Sequence, residues 1–189
     1  MGLVEDRINE SIEVKKNILS DTKLIEEIQS AGISVKECFE NGGKVFLCGN
    51  GGSASDSIHI AAELSGRFQK ERKSLPALSL NADIAALTAI SNDYSYDEVF
   101  ARILSGIVHS NDVVIGISTS GNSENVYRAL VEAKKHGAKT IGLLGKTGGK
   151  IKDIADIAII VPGDNTARIQ ESHIMIGHII CEIAEEDYE

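Results

Sequence analysis

His59 and Glu63 stand four residues apart, a spacing that on a helix projects both side chains from one face, about 6 Å apart along its axis. An imidazole and a carboxylate so placed suit a shared metal ion or a proton relay, and they equally describe an ion pair on a wet helix face. The residues before them bear on that choice, because Gly49-Asn50-Gly51-Gly52-Ser53 runs directly into the segment that carries the pair. Glycines without Cβ atoms let main-chain N–H groups approach a ligand, Ser53 is a good N-cap for the helix that follows, and a helix start attracts anions. A second such stretch is Ser118-Thr119-Ser120-Gly121-Asn122-Ser123. Its hydroxyls and the first amides of the next helix can converge on one phosphate, although taken alone it also fits a polar turn ending in a cap. The first loop is not a nucleotide signature, since the GxxxxGK[ST] lysine and the GxGxxG pattern are both missing. A small phosphorylated metabolite suits the two loops better. Near the end of the chain, His178 shares a helix face with Glu171 and Glu182, which predicts a surface His/Glu pair.

The elements that must position these groups follow from the hydrophobic pattern. Ile8, Ile12, Ile18-Leu19, Leu24, Ile28 and Ile33-Ser34-Val35 recur at three- and four-residue spacing, which predicts two helices from Leu3 to about Glu40, broken at Ser20-Asp21 with Asp21 as a cap. Such a helical arm, with little sheet beside it to cover, is a candidate for packing on a neighbouring subunit. Lys44–Cys48, Leu75–Leu80, Asp112–Ile117, Thr140–Leu144 and Asp156–Val161 are short apolar runs that read as buried strands, the second an edge strand because of Pro76. Helical patterns cover Asp83 to Ile90, Asp97 to Val108 and Glu124 to His136, with a polar turn at 91–95 and a short helix near Lys150 to Ile154. A long closing helix runs to about Glu186, with Thr166 as its expected cap. Ile58, Ile60, Ala61, Ala62 and Leu64 flank the His59/Glu63 strip on both sides, which predicts a buried helix. Strands alternating with helices specify a three-layer α/β sandwich around a five-stranded parallel sheet. In the common 2-1-3-4-5 order the two loops meet at the topological switch point, where open α/β sheets bind ligands.

The chain has 189 residues, 42% of them hydrophobic and 25% charged, with 4% aromatic residues and no Trp. Those values predict one domain over residues 1–189, helical arm 1–41 included, with a core of Ile, Leu, Val and Ala. A formal net charge of -9 argues against a nucleic-acid partner, which would call for concentrated Lys and Arg. Cys38, Cys48 and Cys181 are widely spaced and odd in number, so neither a disulfide framework nor a Cys-rich zinc site is indicated. With no basic-then-apolar signal pattern and no apolar run of spanning length, the expected location is cytoplasmic and the expected membrane partner is none.

The motifs GNGGSASDSIHIAAEL from Gly49, SND at Ser91, STSGNS at Ser118 and TARIQESH at Thr166, followed by His178, carry a resemblance. The chain resembles the sedoheptulose 7-phosphate isomerases (phosphoheptose isomerases) of the sugar-isomerase, or SIS, superfamily over essentially its whole length. Each motif alone is weak, the serine-rich loop occurring across the superfamily; their combination is specific. The resemblance implies conversion of the ketose sedoheptulose 7-phosphate to D-glycero-D-manno-heptose 7-phosphate through an enediol, a first step toward activated heptose for surface polysaccharide. It also implies a homotetramer with sites at subunit interfaces.

Position by position, it implies that Asn50, Gly51, Gly52, Ser53, Asn92 and Asp93 contact substrate and that Ser118, Thr119, Ser120 and Ser123 hold its phosphate. It implies one Zn²⁺ per subunit bound by His59, Glu63, Gln170 and His178, with Glu63 as acid/base, His178 as its partner, and Glu63 and Gln170 also touching substrate. One point of geometry resists: in a regular helix Gln170 and His178 lie about 12 Å apart along the axis and about 80° around it. Either different subunits supply them or the metal lies between long side chains. Two alternatives from the same superfamily are a protein that binds the replication initiator DnaA without catalysis and a sugar-phosphate sensor. Glu63 and His178, the isomerase glutamate and late histidine, favour the enzyme.

Overall fold

The computed structural model describes residues 2–188. Five strands, β1 (Val45–Gly49), β2 (Ala77–Ser79), β3 (Val113–Ser118), β4 (Lys139–Gly145) and β5 (Ile157–Val161), form one parallel sheet in the order β2-β1-β3-β4-β5. Every residue of β1 and β3 is buried, as expected of strands covered on both faces. Successive side chains alternate between the two faces. Val45, Leu47, Ile115, Ile117, Ile141 and Leu143 enter one core with α2 (Thr22–Glu40), α3 (Gly52–Ser65) and α7 (Thr166–Ala184). Phe46, Cys48, Val114 and Leu144 enter the other, with α5 (Val99–Leu104) and α6 (Glu124–Lys135). This is the predicted three-layer sandwich in the predicted strand order.

Asp21 separates α1 (Leu3–Ser20) from α2 and caps α2, its Oδ1 accepting from the Leu24 amide at 3.1 Å. The two helices bury very different amounts of themselves. Leu24, Ile28, Ala31, Val35 and Cys38 of α2 form a buried stripe, whereas α1 buries only Ile18 and leaves Leu3, Val4, Ile8 and Ile12 exposed.

Several boundaries differ from the sequence expectation, each for a local reason. The second strand is three residues long rather than Leu75–Leu80, because Pro76 lies outside the ladder with its carbonyl accepting from the Val45 amide at 2.9 Å. Beyond its end the Asn81 side chain takes over the pairing, donating to the Gly49 carbonyl and accepting from the Gly49 amide. Gly51, not Ser53, precedes α3, and Ser53 is buried inside the first turn. Asn165 rather than Thr166 caps α7, its Oδ1 accepting from the Ala167 amide at 3.0 Å. Asn92 and Asp93 are the last residues of α4 (Ile84–Asp93), not part of a turn. A 3₁₀ turn at Tyr96–Glu98 and the short α5 replace the helix expected over 97–108. The helix α3 is not buried all round: Ile58, His59 and Ala62 are exposed. Among the described residues no helix is long and apolar enough to cross a membrane.

Candidate active site

The loops after β1 and β3 lie side by side because those strands are neighbours in register, Gly49 opposite Ile117. In the second loop the Ser118 hydroxyl lies 2.9 Å from that of Ser123 and 3.5 Å from that of Ser120. Ser123 occupies the N-cap of α6 yet makes no side-chain cap bond; its hydroxyl faces the other serines instead. Thr119 sits between them in the turn, which Gly121 closes with φ 68°. Clustered hydroxyls before a helix start, whose first amides have no intrahelical acceptor, form a set of donors matched to phosphate oxygens.

In the first loop Gly51 adopts φ 58° and ψ -121°, a conformation that strains any residue with a Cβ. A Cβ on Gly52 would fall 1.8 Å from Gln170 Nε2, so the Gln170 amide, reaching across from α7, rests on the start of α3. Asn50 is held by a reciprocal amide pair with Asn125, both bonds 2.9 Å, and by the Tyr96 hydroxyl, which donates to Asn50 Oδ1 at 2.9 Å. Asn81, Tyr96 and Asn125 escaped the sequence reading because their partners lie 32, 46 and 75 residues away. Asn92 donates to Asp93 Oδ1 at 3.0 Å on the exposed end of α4. Among the described residues no hydrogen bond ties either of them to the two loops.

A second cluster forms where α3 meets α7. A Cβ on Gly177 would lie 2.4 Å from Ile60 Cδ1; the bare glycine permits the helices to approach and brings His178 against α3. His59 Nε2 lies 3.1 Å from His178 Nε2 and 3.1 Å from Glu63 Oε1. Phe68 stacks on the His178 ring at 5.4 Å with 19° between planes. The segment carrying Phe68 is tied to the end of α7: Arg72 and Glu185 form a buried ion pair at 2.9 Å, and the Gln69 and Lys70 amides donate to Glu185 Oε1. The expected pairing of His178 with Glu171 and Glu182 does not form. Glu171 accepts from Ser11, and Glu182 accepts from Gln69.

His59, Glu63 and His178 form a group able to hold a metal ion, their ligand atoms lying within 4.8 Å of one another. The donor set fits zinc. Imidazole and carboxylate donors at about 2.0–2.1 Å in a tetrahedron stand about 3.3 Å apart, close to the two 3.1 Å separations seen. His59 Nε2 carries at most one proton and cannot donate to both neighbours, so a shared cation suits the arrangement. Gln170 rests on Gly52 at the start of α3, eight residues before His178.

Among the other titratable groups, burial raises the Asp56 carboxyl above its usual range, with the charge of His59 opposing. Asp56 Oδ2 has no hydrogen-bond partner. Burial lowers His173 to about 4 against the opposing effect of its hydrogen bond to the Leu144 carbonyl. Cys38, Cys48 and Cys181 are buried and pushed up to about 12, chiefly by desolvation, which keeps them as thiols packed in the core.

The SIS-domain family model matches residues 9–145. A phosphoheptose isomerase from a Nitratiruptor species is 56% identical over 183 residues, spanning 93% of this chain and 98% of that protein. The chain belongs to the phosphoheptose isomerase family. Solved phosphoheptose isomerases agree in three dimensions: that of Neisseria gonorrhoeae is 40% identical with a TM-score of 0.91, and that of Francisella tularensis 36% identical with a TM-score of 0.93. Each alignment covers 97% of both chains. Nothing in these likenesses favours an initiator-binding protein, and Glu63 and His178 each lie against His59.

Proposed function

We propose that the protein interconverts sedoheptulose 7-phosphate and D-glycero-D-manno-heptose 7-phosphate, acting at the entry to activated-heptose synthesis for surface polysaccharide. The observation that carries this reading is the convergence of His59, Glu63 and His178 from two helices, in a chain of the phosphoheptose isomerase family. Sedoheptulose 7-phosphate carries its carbonyl at C2 and a CH₂OH at C1. Glu63 takes a proton from C1 while the C2 oxygen gains one, the C1–H electron pair becoming the C1–C2 double bond of an enediol. The O1 hydroxyl then gives up its proton as C2 receives one, leaving an aldehyde at C1. A carboxylate serves the carbon and an imidazole the oxygen, so Glu63 moves the carbon-bound proton and His178 exchanges the oxygen-bound one. Zn²⁺, one per subunit and held by His59, Glu63 and His178, supplies Lewis acidity at the substrate oxygens when bound.

Ser118, Thr119, Ser120 and Ser123 hold the phosphate, while Asn50, Gly51, Gly52, Ser53, Asn92, Asp93 and Gln170 line the sugar. Gln170 at Gly52 and His178 at His59 are separated by eight residues of α7, about 12 Å. That distance, the outward exposure of His59 and Ile58, and the uncovered apolar face of α1 support a site completed by a neighbouring copy. A homotetramer meets this need and offers a route for a partner's Gln170 to the metal. Residues 1–189 act as one SIS domain with its helical arm, in the cytoplasm. The test is incubation of purified protein with sedoheptulose 7-phosphate, following the aldose formed. Binding without conversion would move the reading to a sugar-phosphate sensor.

A further inference from the structure

Asn50 belongs to the loop after β1 and Asn125 to the first turn of α6, so their amide pair bridges the two loops at the switch point. The orientation of both amides is determined. The Val126 amide, one of the first-turn N–H groups a helix leaves without an intrahelical acceptor, donates to Asn125 Oδ1 at 2.9 Å. That contact requires oxygen, not NH₂, at this position of Asn125. Its Nδ2 therefore faces Asn50, and Asn50 must present Oδ1 to it and Nδ2 to Asn125 Oδ1.

Asn50 Oδ1 then has a defined second partner, the Tyr96 hydroxyl at 2.9 Å. An amide oxygen carries no hydrogen, so the phenol is the donor. The only hydroxyl proton of Tyr96 is committed inward, and only lone pairs remain on its oxygen for anything that enters between the loops. Asn125 is buried, whereas Tyr96 is 52% exposed; the phenol stands at the open edge of the bridge. A phosphate oxygen needs a donor and gains nothing from this group. A sugar hydroxyl has a proton to give.

We propose that Tyr96 is a specificity-determining residue whose phenol oxygen accepts a hydrogen bond from a hydroxyl of the bound sugar, its polarity set by the Asn50–Asn125–Val126 chain. This rests on the sugar-phosphate reading above and deepens it by separating recognition of the polyol from recognition of the phosphate. The test is calorimetric binding of sedoheptulose 7-phosphate and of inorganic phosphate to wild type and Tyr96→Phe, with Ser120→Ala as the control for the phosphate loop. Tyr96→Phe should weaken the sugar phosphate about 3- to 10-fold and leave inorganic phosphate unchanged, whereas Ser120→Ala should weaken both. Asn125 keeps Asn50 in place in the Phe variant, so folding is expected to be intact, and circular dichroism checks it. Equal weakening of both ligands by Tyr96→Phe would make Tyr96 a prop for the loops and overturn the proposal, as would no change in either. If wild type bound neither ligand, the sugar-phosphate reading itself would fall, a result distinct from both.

Discussion

The imidazole nitrogens His59 Nε2 and His178 Nε2 lie 3.1 Å apart although their residues are 119 positions apart in the chain. With Glu63 Oε1 also 3.1 Å from His59 Nε2, three lone-pair donors crowd a space that a cation satisfies better than a single proton. Protein purified without chelator is therefore expected to carry Zn²⁺, one per subunit, to lose activity on exhaustive chelation, and to regain it on adding Zn²⁺. His59→Ala should lower the zinc content measured by mass spectrometry while leaving the fold intact, because the side chain is half exposed. Full activity in rigorously metal-free protein would leave His178 as a purely organic acid.

The hydroxyl loop predicts a different kinetic signature. Hydrogen bonds to a charged group contribute about 1.5–3 kcal/mol each, and the Ser120 and Ser123 hydroxyls gather around Ser118. Ser120→Ala and Ser123→Ala should each raise KM by about 10- to 100-fold and change kcat much less, read from steady-state kinetics. An unaltered KM in both variants would place the phosphate elsewhere.

How much of this was legible in the sequence depended on whether the relationship was local. The His59/Glu63 pair follows from one turn of helix, and the strands follow from apolar runs buried on both faces. The partner of His178 was not legible from spacing: periodicity within α7 pointed to Glu171 and Glu182, and only the family resemblance grouped it with His59, because that contact arises from close approach of α7 to α3 at Gly177 and Ile60. Asn125 and Tyr96 have polar partners on other elements, which no spacing rule reports. The exposure of Ile58 and Ala62 on α3 went unpredicted for another reason. An apolar helix surface is a demand for cover, and the pattern does not say whether the same chain or a neighbouring one meets it.

The buried His173 predicts a pH dependence of stability. Its Nε2 lies 2.8 Å from the Leu144 carbonyl oxygen, to which it donates, and burial holds its pKa at about 4 against an ordinary 6.5. The folded chain keeps this imidazole neutral, while the unfolded chain protonates it below about 6.5. Between those values the unfolded state binds more protons, so stability falls as the pH falls, and the loss is complete once the pH is below about 4. From about pH 7 to about pH 5 this group should remove about 2 kcal/mol from the unfolding free energy. Urea titrations of wild type and His173→Gln should converge by about that amount over this interval. Parallel pH profiles would show that His173 does not titrate as described.

The central claim is that Glu63 moves the carbon-bound proton, and the most direct measurement is exchange of the C1 hydrogen of sedoheptulose 7-phosphate with D₂O, followed by NMR. General base catalysis contributes about 10²–10⁴-fold, and Glu63→Gln removes the base while keeping shape and hydrogen bonding. Wild type should exchange the hydrogen during turnover. The Gln variant should fold, bind the substrate, and lose both exchange and isomerisation by about that factor. Near-normal exchange in Glu63→Gln would contradict the assignment and show that another group is the base.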